Sequence, residues 1–263
     1  MQLENRVALV TGAATGMGRA IATLFARQGA LVFLNYNTSA AAAEDAAAAI
    51  RSEGGRAETV QADISNESSI KSLVGAVEAS AGRLDILVNN AGWTRRVPHT
   101  QLDDLTDEIW QRTLQTNLLA PFQLIRAAAP LLRRSPHAAV VNVASTGALT
   151  GQASSMAYIA SKAGLLAITT SLARALAPEI RLNAIAPGLI RTGFAGWTEE
   201  QYSAGDASAP LGRLATVEDV AEAALYLSTA HVTGETIVVD AGLYRLGPRP
   251  NSAPLHLSHE TRR

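Results

Sequence analysis

The sequence predicts an α/β fold: one doubly wound, seven-stranded parallel sheet with helices on both faces. Three observations predict it. Short apolar runs alternate with longer helix-period stretches along most of the chain, the order of repeated strand–helix units. The first apolar run, Val7-Ala8-Leu9-Val10, passes through a glycine-rich turn into a helical pattern. A length of 263 residues with 48% hydrophobic content suffices for one well-buried domain.

In chain order, strands are expected near residues 6–11, 31–36, 57–61, 85–89, 138–143, 180–186 and 235–239. Helices are expected near 17–28, 39–53, 67–81, 103–132, 157–177 and 217–228. In the first helix Ile21, Leu24 and Phe25 recur at helical spacing. The second is nearly all alanine from Ala40 to Ala49, the best helix former, and Gly54-Gly55 stops it. Thr106 is a helix-start signal inside the 103–132 region, so a break into two helices is expected there. Residues 193–212 carry Gly193, Gly196, Gly205, Pro210 and Gly212 around a short helical stretch, and follow a strand end. That is where ligands bind in doubly wound sheets, so this segment is read as a substrate lid. The domain is placed at 1–246. Residues 247–263, with three prolines and little periodicity, read as a flexible tail, with an arm to a neighbouring subunit as the other reading.

Composition excludes several functions. A formal charge of −1 makes no electrostatic case for nucleic acid or an anionic membrane. Zero cysteines rules out disulfides and thiolate metal sites, and the five histidines (99, 137, 231, 256, 259) lack ligand spacing, so no metal is expected. They read as surface or loop residues. No charged segment precedes an apolar core at the N-terminus, and no uninterrupted apolar run of bilayer length is seen. The expectation is a cytoplasmic protein without membrane or nucleic-acid partners.

Chemistry enters with Tyr158-Ile159-Ala160-Ser161-Lys162. Residues four apart share a helix face, so phenol and ammonium point the same way. A nearby cation favours phenolate, which predicts a Tyr158 made more acidic by Lys162. Ser145 follows the apolar run Ala139–Val143, placed to donate a hydrogen bond to a carbonyl oxygen. Upstream, Thr11-Gly12-Ala13-Ala14-Thr15-Gly16-Met17-Gly18 joins strand to helix. Gly12 suits a tight turn, Gly16 lets backbone N–H groups approach a phosphate, and Gly18 lets the helix pack on the sheet. The helix N-terminus then attracts a pyrophosphate.

These landmarks, with Asp63, Asn89-Asn90-Ala91-Gly92, Asn117, Pro187-Gly188-x-Ile190-x-Thr192 and the run Thr233–Asp240, resemble those of single-domain short-chain dehydrogenases/reductases. The resemblance spans roughly residues 5–245 and lies nearest the ketoreductase branch that includes 3-oxoacyl reductases. It implies a Rossmann-like sheet and hydride transfer between a nicotinamide cofactor and a ketone or secondary alcohol. By resemblance Tyr158 is the general acid or base, Lys162 lowers its pKa and holds the nicotinamide ribose, and Ser145 polarises the substrate oxygen. Asn117 positions a relay water, a role that a helix irregularity at that point would support.

The implied cofactor-binding set is Gly12, Thr15, Gly16, Met17, Gly18, Asn37, Thr38, Ser39, Asp63, Ile64, Asn90, Ala91, Gly92, Tyr158, Lys162, Pro187, Gly188, Ile190 and Thr192. Asp63 would bond the adenine amino group with Ile64 against the ring, while Ile190 and Thr192 would contact the carboxamide. The second strand ends Leu34-Asn35-Tyr36-Asn37-Thr38-Ser39 without an acid. A carboxylate there would repel a 2′-phosphate, so NADP(H) is preferred over NAD(H), although Thr15 and Thr38 stand where NADP-binding relatives often carry a basic residue.

Pocket candidates Gly147, Leu149, Gln152, Leu189, Phe194 and Trp197, with Trp93 to Arg96 as a second wall, suit a small-molecule ketone. Arg95-Arg96 read as solvent-facing. Relatives acting on carrier-bound acyl groups often have basic residues where this chain reads Ala177-Pro178-Glu179. Two other functions stay open, an NAD-dependent alcohol dehydrogenase and a non-catalytic dinucleotide sensor. Resemblance also implies a homotetramer, or a dimer.

Overall fold

The computed structural model describes residues 1–250. Seven parallel strands form one sheet in the order β3-β2-β1-β4-β5-β6-β7. They are β1 (Val7–Val10), β2 (Leu31–Tyr36), β3 (Arg56–Gln61), β4 (Ile86–Asn89), β5 (Ala139–Val143), β6 (Arg181–Pro187) and β7 (Thr236–Val239). The chain reverses direction across the sheet between β1 and β4, which opens a crevice at their C-terminal ends.

Side-chain alternation along a strand divides the core into two layers. Ala8 and Val10 of β1 join Ile21 and Phe25 of α1 (Gly16–Arg27) and Ile50 of α2 (Ala40–Ser52) on one face. Val7 and Leu9 join Ile70 and Leu73 of α3 (Glu67–Ala81) on the other. Phe25 and Leu9 are fully buried, each worth about 2 kcal/mol of transfer free energy. The two ends of α3 are closed by its sequence. Asn66 accepts from Ser68 N and Ser69 N at its start, and Gly82 takes a left-handed conformation at its end.

Buried polar groups lock the sheet ends. The Asp85 carboxylate, fully buried, accepts from Val7 N at 2.7 Å, from the Arg83 guanidinium and from Ser135 Oγ. At the opposite end Asn89 Nδ2 donates to Asn142 Oδ1 at 2.8 Å, and Asn142 Nδ2 donates to Thr169 Oγ1 at 2.9 Å. Asn89 is thus a sheet brace.

The region expected as helix 103–132 is more divided than its pattern implied. A single 3-10 turn (Leu102–Asp104) precedes α4 (Asp107–Leu114), which starts directly after Thr106. A π-helical turn, Gln115–Leu119, then joins α4 to α5 (Ala120–Leu132). Asn117 lies at its centre, so a helix irregularity of the kind that would support its role is present.

Two short helices had no separate signal, α6 (Gly147–Thr150) and α10 (Leu243–Leu246), while α8 (Glu199–Ser208) is the short helical stretch expected within residues 193–212. Thr198 opens α8 and Thr216 opens α9 (Val217–Thr229) with capping boxes. The expected tail falls largely outside the described residues, as do His256 and His259. Its start is tied down where Arg249 N donates to Ser208 O at 2.8 Å.

The 21-residue helix α7 (Met156–Leu176) is long and apolar enough by composition to cross a membrane. Here it packs on β6 as a core helix and buries Lys162, a residue that the apolar average conceals.

Candidate active site

Residues 11–18 form the floor of the crevice. Gly12 has φ +61°, a conformation that L side chains rarely adopt. Gly18 is required for a different reason: a Cβ there would lie 2.4 Å from Gly12 O and 2.5 Å from Asn90 Nδ2. Asn90 Nδ2 donates to Thr11 O at 2.9 Å and Gly12 O at 3.1 Å, so its carboxamide shapes the glycine turn. Thr15, the residue before α1, places no side-chain bond on the helix. The first N–H groups of α1 therefore stay available to an anion.

A cleft of about 880 Å³ runs over this floor. Of the expected cofactor residues it is lined by Gly12, Thr15, Gly16, Met17, Asn37, Asp63, Ile64, Asn90, Ala91, Gly92, Tyr158, Lys162 and Thr192. Asp63 Oδ1 accepts from Ser65 N at 2.9 Å and Ser65 Oγ at 2.7 Å, which leaves Oδ2 without a bond among the described residues. Gly18 lies behind the floor as a packing residue. Thr38 and Ser39 do not line the cleft. They are exposed just beyond Asn37, because the chain turns into α2 there and carries them past the rim. The sequence reading missed Asn35, Ser65, Arg112, Gln115 and Thr116, which also line the cleft. Two-residue alternation from Asn37 would have found Asn35. The α4 and π-turn residues had no signal, because only the fold brings them to β4.

A second, smaller cavity of about 110 Å³ adjoins the first and is lined by Ser145, Tyr158, Pro187, Gly188, Ile190 and Thr192 among the expected site residues. Gly147, Gln152, Leu189, Phe194 and Trp197 also face it, so the expected substrate wall is largely assembled. Leu149 lines neither cavity and is partly exposed.

Tyr158 sits where the two cavities meet. Ser155 caps α7 by accepting from Tyr158 N, which sets the first turn and places Tyr158 and Lys162 one turn apart on a shared face. Lys162 is almost fully buried, donates from Nζ to Val143 O at 2.7 Å, and lies 5.8 Å from the Tyr158 ring centroid. No carboxylate pairs with it among the described residues. Burial therefore pushes its ammonium down to about 8.

The expected depression of the Tyr158 pKa by Lys162 is not what the structure shows. Burial pushes the phenol up to about 12, and a hydrogen bond with Ser145 offsets only part of that. Desolvation outweighs attraction because the ammonium is turned toward the β5 carbonyl.

Asn117 is fully buried under this pair. Its Oδ1 accepts from Trp93 N at 2.8 Å, and its Nδ2 donates to Trp93 O at 2.9 Å and Ser161 Oγ at 3.1 Å. Both ends of the carboxamide are engaged, so the residue clamps the β4–α4 loop to α7. Arg95 is exposed as expected, but Arg96 is not free in solvent. Its guanidinium lies 4.0 Å from the Trp197 ring centroid.

Comparison with known proteins agrees with this geometry. Residues 12–244 match the family described as enoyl-(acyl carrier protein) reductase. The chain is 40% identical over 250 residues to a protein assigned as ketoacyl reductase 2 of the granaticin polyketide synthase of Streptomyces violaceoruber, covering 92% of this chain and 98% of that one. It is 35% identical to the 3-oxoacyl-[acyl-carrier-protein] reductase FabG of Escherichia coli, covering 93% and 99%. A crystal structure from Burkholderia xenovorans, titled as a short-chain dehydrogenase/reductase, superposes with TM-score 0.81 at 37% identity, covering 89% of this chain and 95% of that chain.

This chain belongs to the short-chain dehydrogenase/reductase family. It is accordingly an NAD(P)-dependent oxidoreductase acting on a CH–OH group or the corresponding carbonyl. The glycine turn lines the large cleft, Ser145 lines the small cavity, and Tyr158 lines both.

Proposed function

We propose that this short-chain dehydrogenase/reductase uses NADPH to reduce a ketone of moderate size to a secondary alcohol, with Tyr158 as general acid. One observation carries the reading. The large cleft and the small cavity share Tyr158, Thr192 and Phe194 as walls, so a dinucleotide in one and a carbonyl compound in the other meet at the tyrosine.

The residues present suit a dinucleotide. The glycine turn leaves no room for a Cβ at Gly18, the N-terminus of α1 is uncapped, and Asp63 keeps an unused carboxylate oxygen for an amino group. The hydroxyls of Thr38 and Ser39 are exposed beside Asn37 with no bond among the described residues, neutral donors suited to a 2′-phosphate. A nicotinamide dinucleotide held there supplies the hydride.

The protein's own groups handle the oxygen. Tyr158 is protonated at neutral pH, with burial pushing its pKa still higher, to about 12. It can therefore donate to a substrate oxygen that gains negative charge. Ser145 donates a hydrogen bond to the same oxygen and stabilises that charge. Lys162 adds a buried positive charge near the phenol below pH about 8. In the oxidative direction Tyr158 accepts the proton. Asn117 contributes by fixing Trp93 and the π-turn; a relay water would use backbone carbonyls there, since the carboxamide is already bonded.

Relatives named ketoacyl and 3-oxoacyl reductases support ketone reduction and the NADP preference. The missing arginine at Thr15 and Thr38 favours a second reading, an NAD-dependent alcohol dehydrogenase. Cytoplasmic placement and a homotetramer complete the proposal. Leu119 and Phe122 near the start of α5, and Tyr226 of α9, are exposed apolar residues suited to contacts between copies.

The test is a panel of ketones incubated with NADPH or NADH and followed by loss of reduced-nicotinamide absorbance. NADPH-dependent turnover supports the proposal. Turnover with NADH alone selects the second reading, and a bound dinucleotide with no turnover on any ketone overturns both.

A further inference from the structure

The loop from Gly92 to Val97 is held rigidly on its inner side. Asn117 bonds Trp93 through both N and O, Val97 N donates to Ser154 O at 2.9 Å, and Thr94 Oγ1 lies 2.6 Å from Ser154 Oγ. From this fixed base Arg96 reaches the segment that carries Trp197, a residue lining the small cavity. Its Nη1 donates to Gly196 O at 3.2 Å and to Gln201 Oε1 at 3.4 Å, and its guanidinium stacks on Trp197.

The segment it reaches has little else on that side. Gly193 and Gly196 have φ +71° and +64°, with no atom within 4 Å of where a Cβ would stand. α8 is tied separately to the chain just after β6: Arg191 pairs with Glu199 and with Asp206 at 2.6 Å. Trp197, between those ties, faces the cavity that Ser145 and Tyr158 also line. Gln201 Oε1 already accepts from Thr198 N in the capping box of α8, so Arg96 is joined to the helix start itself.

We infer that Arg96 is a positioning residue, a latch that holds Trp197 as the outer wall of the substrate cavity and thereby sets which ketones fit. The inference rests on the proposed ketone-reducing site. The latch acts by stacking and by bonds to neutral oxygens. No carboxylate pairs with Arg96 among the described residues, and its planar face is engaged by the indole. Lysine cannot reproduce a stacked, planar donor at that place. A substrate long enough to press on Trp197 therefore depends on the latch, while a compact one does not.

Two measurements test this. The first is steady-state reduction of a short and a long ketone by Arg96→Ala, Arg96→Lys, Trp197→Ala and the Arg96→Ala/Trp197→Ala double variant. For the long ketone, KM should rise roughly tenfold in each single variant, with kcat changing much less and NADPH affinity kept. The double variant should be no worse than either single one, the sign that both changes remove one coupled unit. Additive losses, or recovery of KM in Arg96→Lys, overturn the latch, the latter because charge alone would then suffice.

The second measurement needs no turnover, so it separates failure of the latch from failure of the ketoreductase reading. With Trp93→Phe and Trp110→Phe, Trp197 is the remaining tryptophan of the chain's three. Acrylamide quenching of its fluorescence should increase at least twofold on adding Arg96→Ala. Equal quenching with and without Arg96, in protein of unchanged Tm, overturns the inference.

Discussion

Lys162 is anchored to Val143: the ammonium donates to the last carbonyl of β5 at 2.7 Å, in a place where burial has brought its pKa down to about 8. The consequence is a pH limit for the coenzyme-free enzyme. Below about 8 the ammonium is present; above it the group becomes neutral and its attraction for a ribose hydroxyl and for a developing phenolate is lost. The kcat/KM for ketone reduction should fall as pH rises through about 8. In Lys162→Arg, which stays charged, that inflection should disappear, although overall activity is lower. Profiles of kcat/KM against pH for both proteins check it, and an unchanged inflection in the arginine variant counts against Lys162 as its source.

Tyr158→Phe removes the proton donor and leaves the cleft walls in place. Turnover should fall by about 10²–10⁴-fold, the usual contribution of general acid catalysis. NADPH affinity, measured by nucleotide fluorescence, should change little. Turnover equal to wild type would remove Tyr158 from the mechanism.

Asn37 lines the cleft at the end of β2, where a carboxylate would meet a 2′-phosphate. Asn37→Asp should lower kcat/KM with NADPH at least tenfold and leave that with NADH equal or higher. Loss of both together would point to damage of the turn and not to cofactor choice.

Asp85 sets an acid limit on stability. Burial pushes its carboxyl up, but the bonds from Arg83, Ser135 and Val7 N outweigh burial and hold it below the usual carboxylate range. A depressed folded pKa means stability that is present above the unfolded value, about 4, and is lost as pH falls through the folded value. Asp85→Asn should destabilise the fold by about 2–3 kcal/mol at neutral pH, since an amide turns a donor toward the donors around it. Urea unfolding at pH 7 and at pH 3 should show the gap between the two proteins narrowing in acid.

Ala241 has φ +58°, in the left-handed region that favours glycine. Relieving this costs some unfolded-chain entropy, so Ala241→Gly should stabilise by only about 0.5–1 kcal/mol. A thermal melt should move up by one or two degrees with activity kept. A lower melting temperature would show that Ala241 is held there by contacts worth more than the backbone cost.

Most strands were legible because they are short, apolar and followed by a helical stretch; β1, β4 and β5 are buried along their whole length, whereas β3 is an edge strand with mostly polar residues. The glycine turn was legible for a steric reason, since only a residue without a side chain fits between Gly12 O and Asn90. Helix-period counting ran through the π-turn at Gln115–Leu119, which keeps helical backbone angles and changes only the bonding step. It also gave α8 no more than a short helical stretch, whose mean apolar content is low and whose start depends on the Thr198–Gln201 box.

From local pattern alone came the parallel α/β architecture, the glycine turn and the pairing of Tyr158 with Lys162, because each depends on residues a few positions apart. Tertiary structure decided what those groups experience. Whether Lys162 lowers the phenol's pKa depends on which carbonyl the ammonium reaches, and β5 supplied Val143. Whether Arg96 meets water or an indole depends on the segment around Gly196, 100 residues further along the chain. Distance along the sequence carries no record of burial or of partners brought together by the sheet, and those two quantities set both the charge states and the shape of the substrate wall.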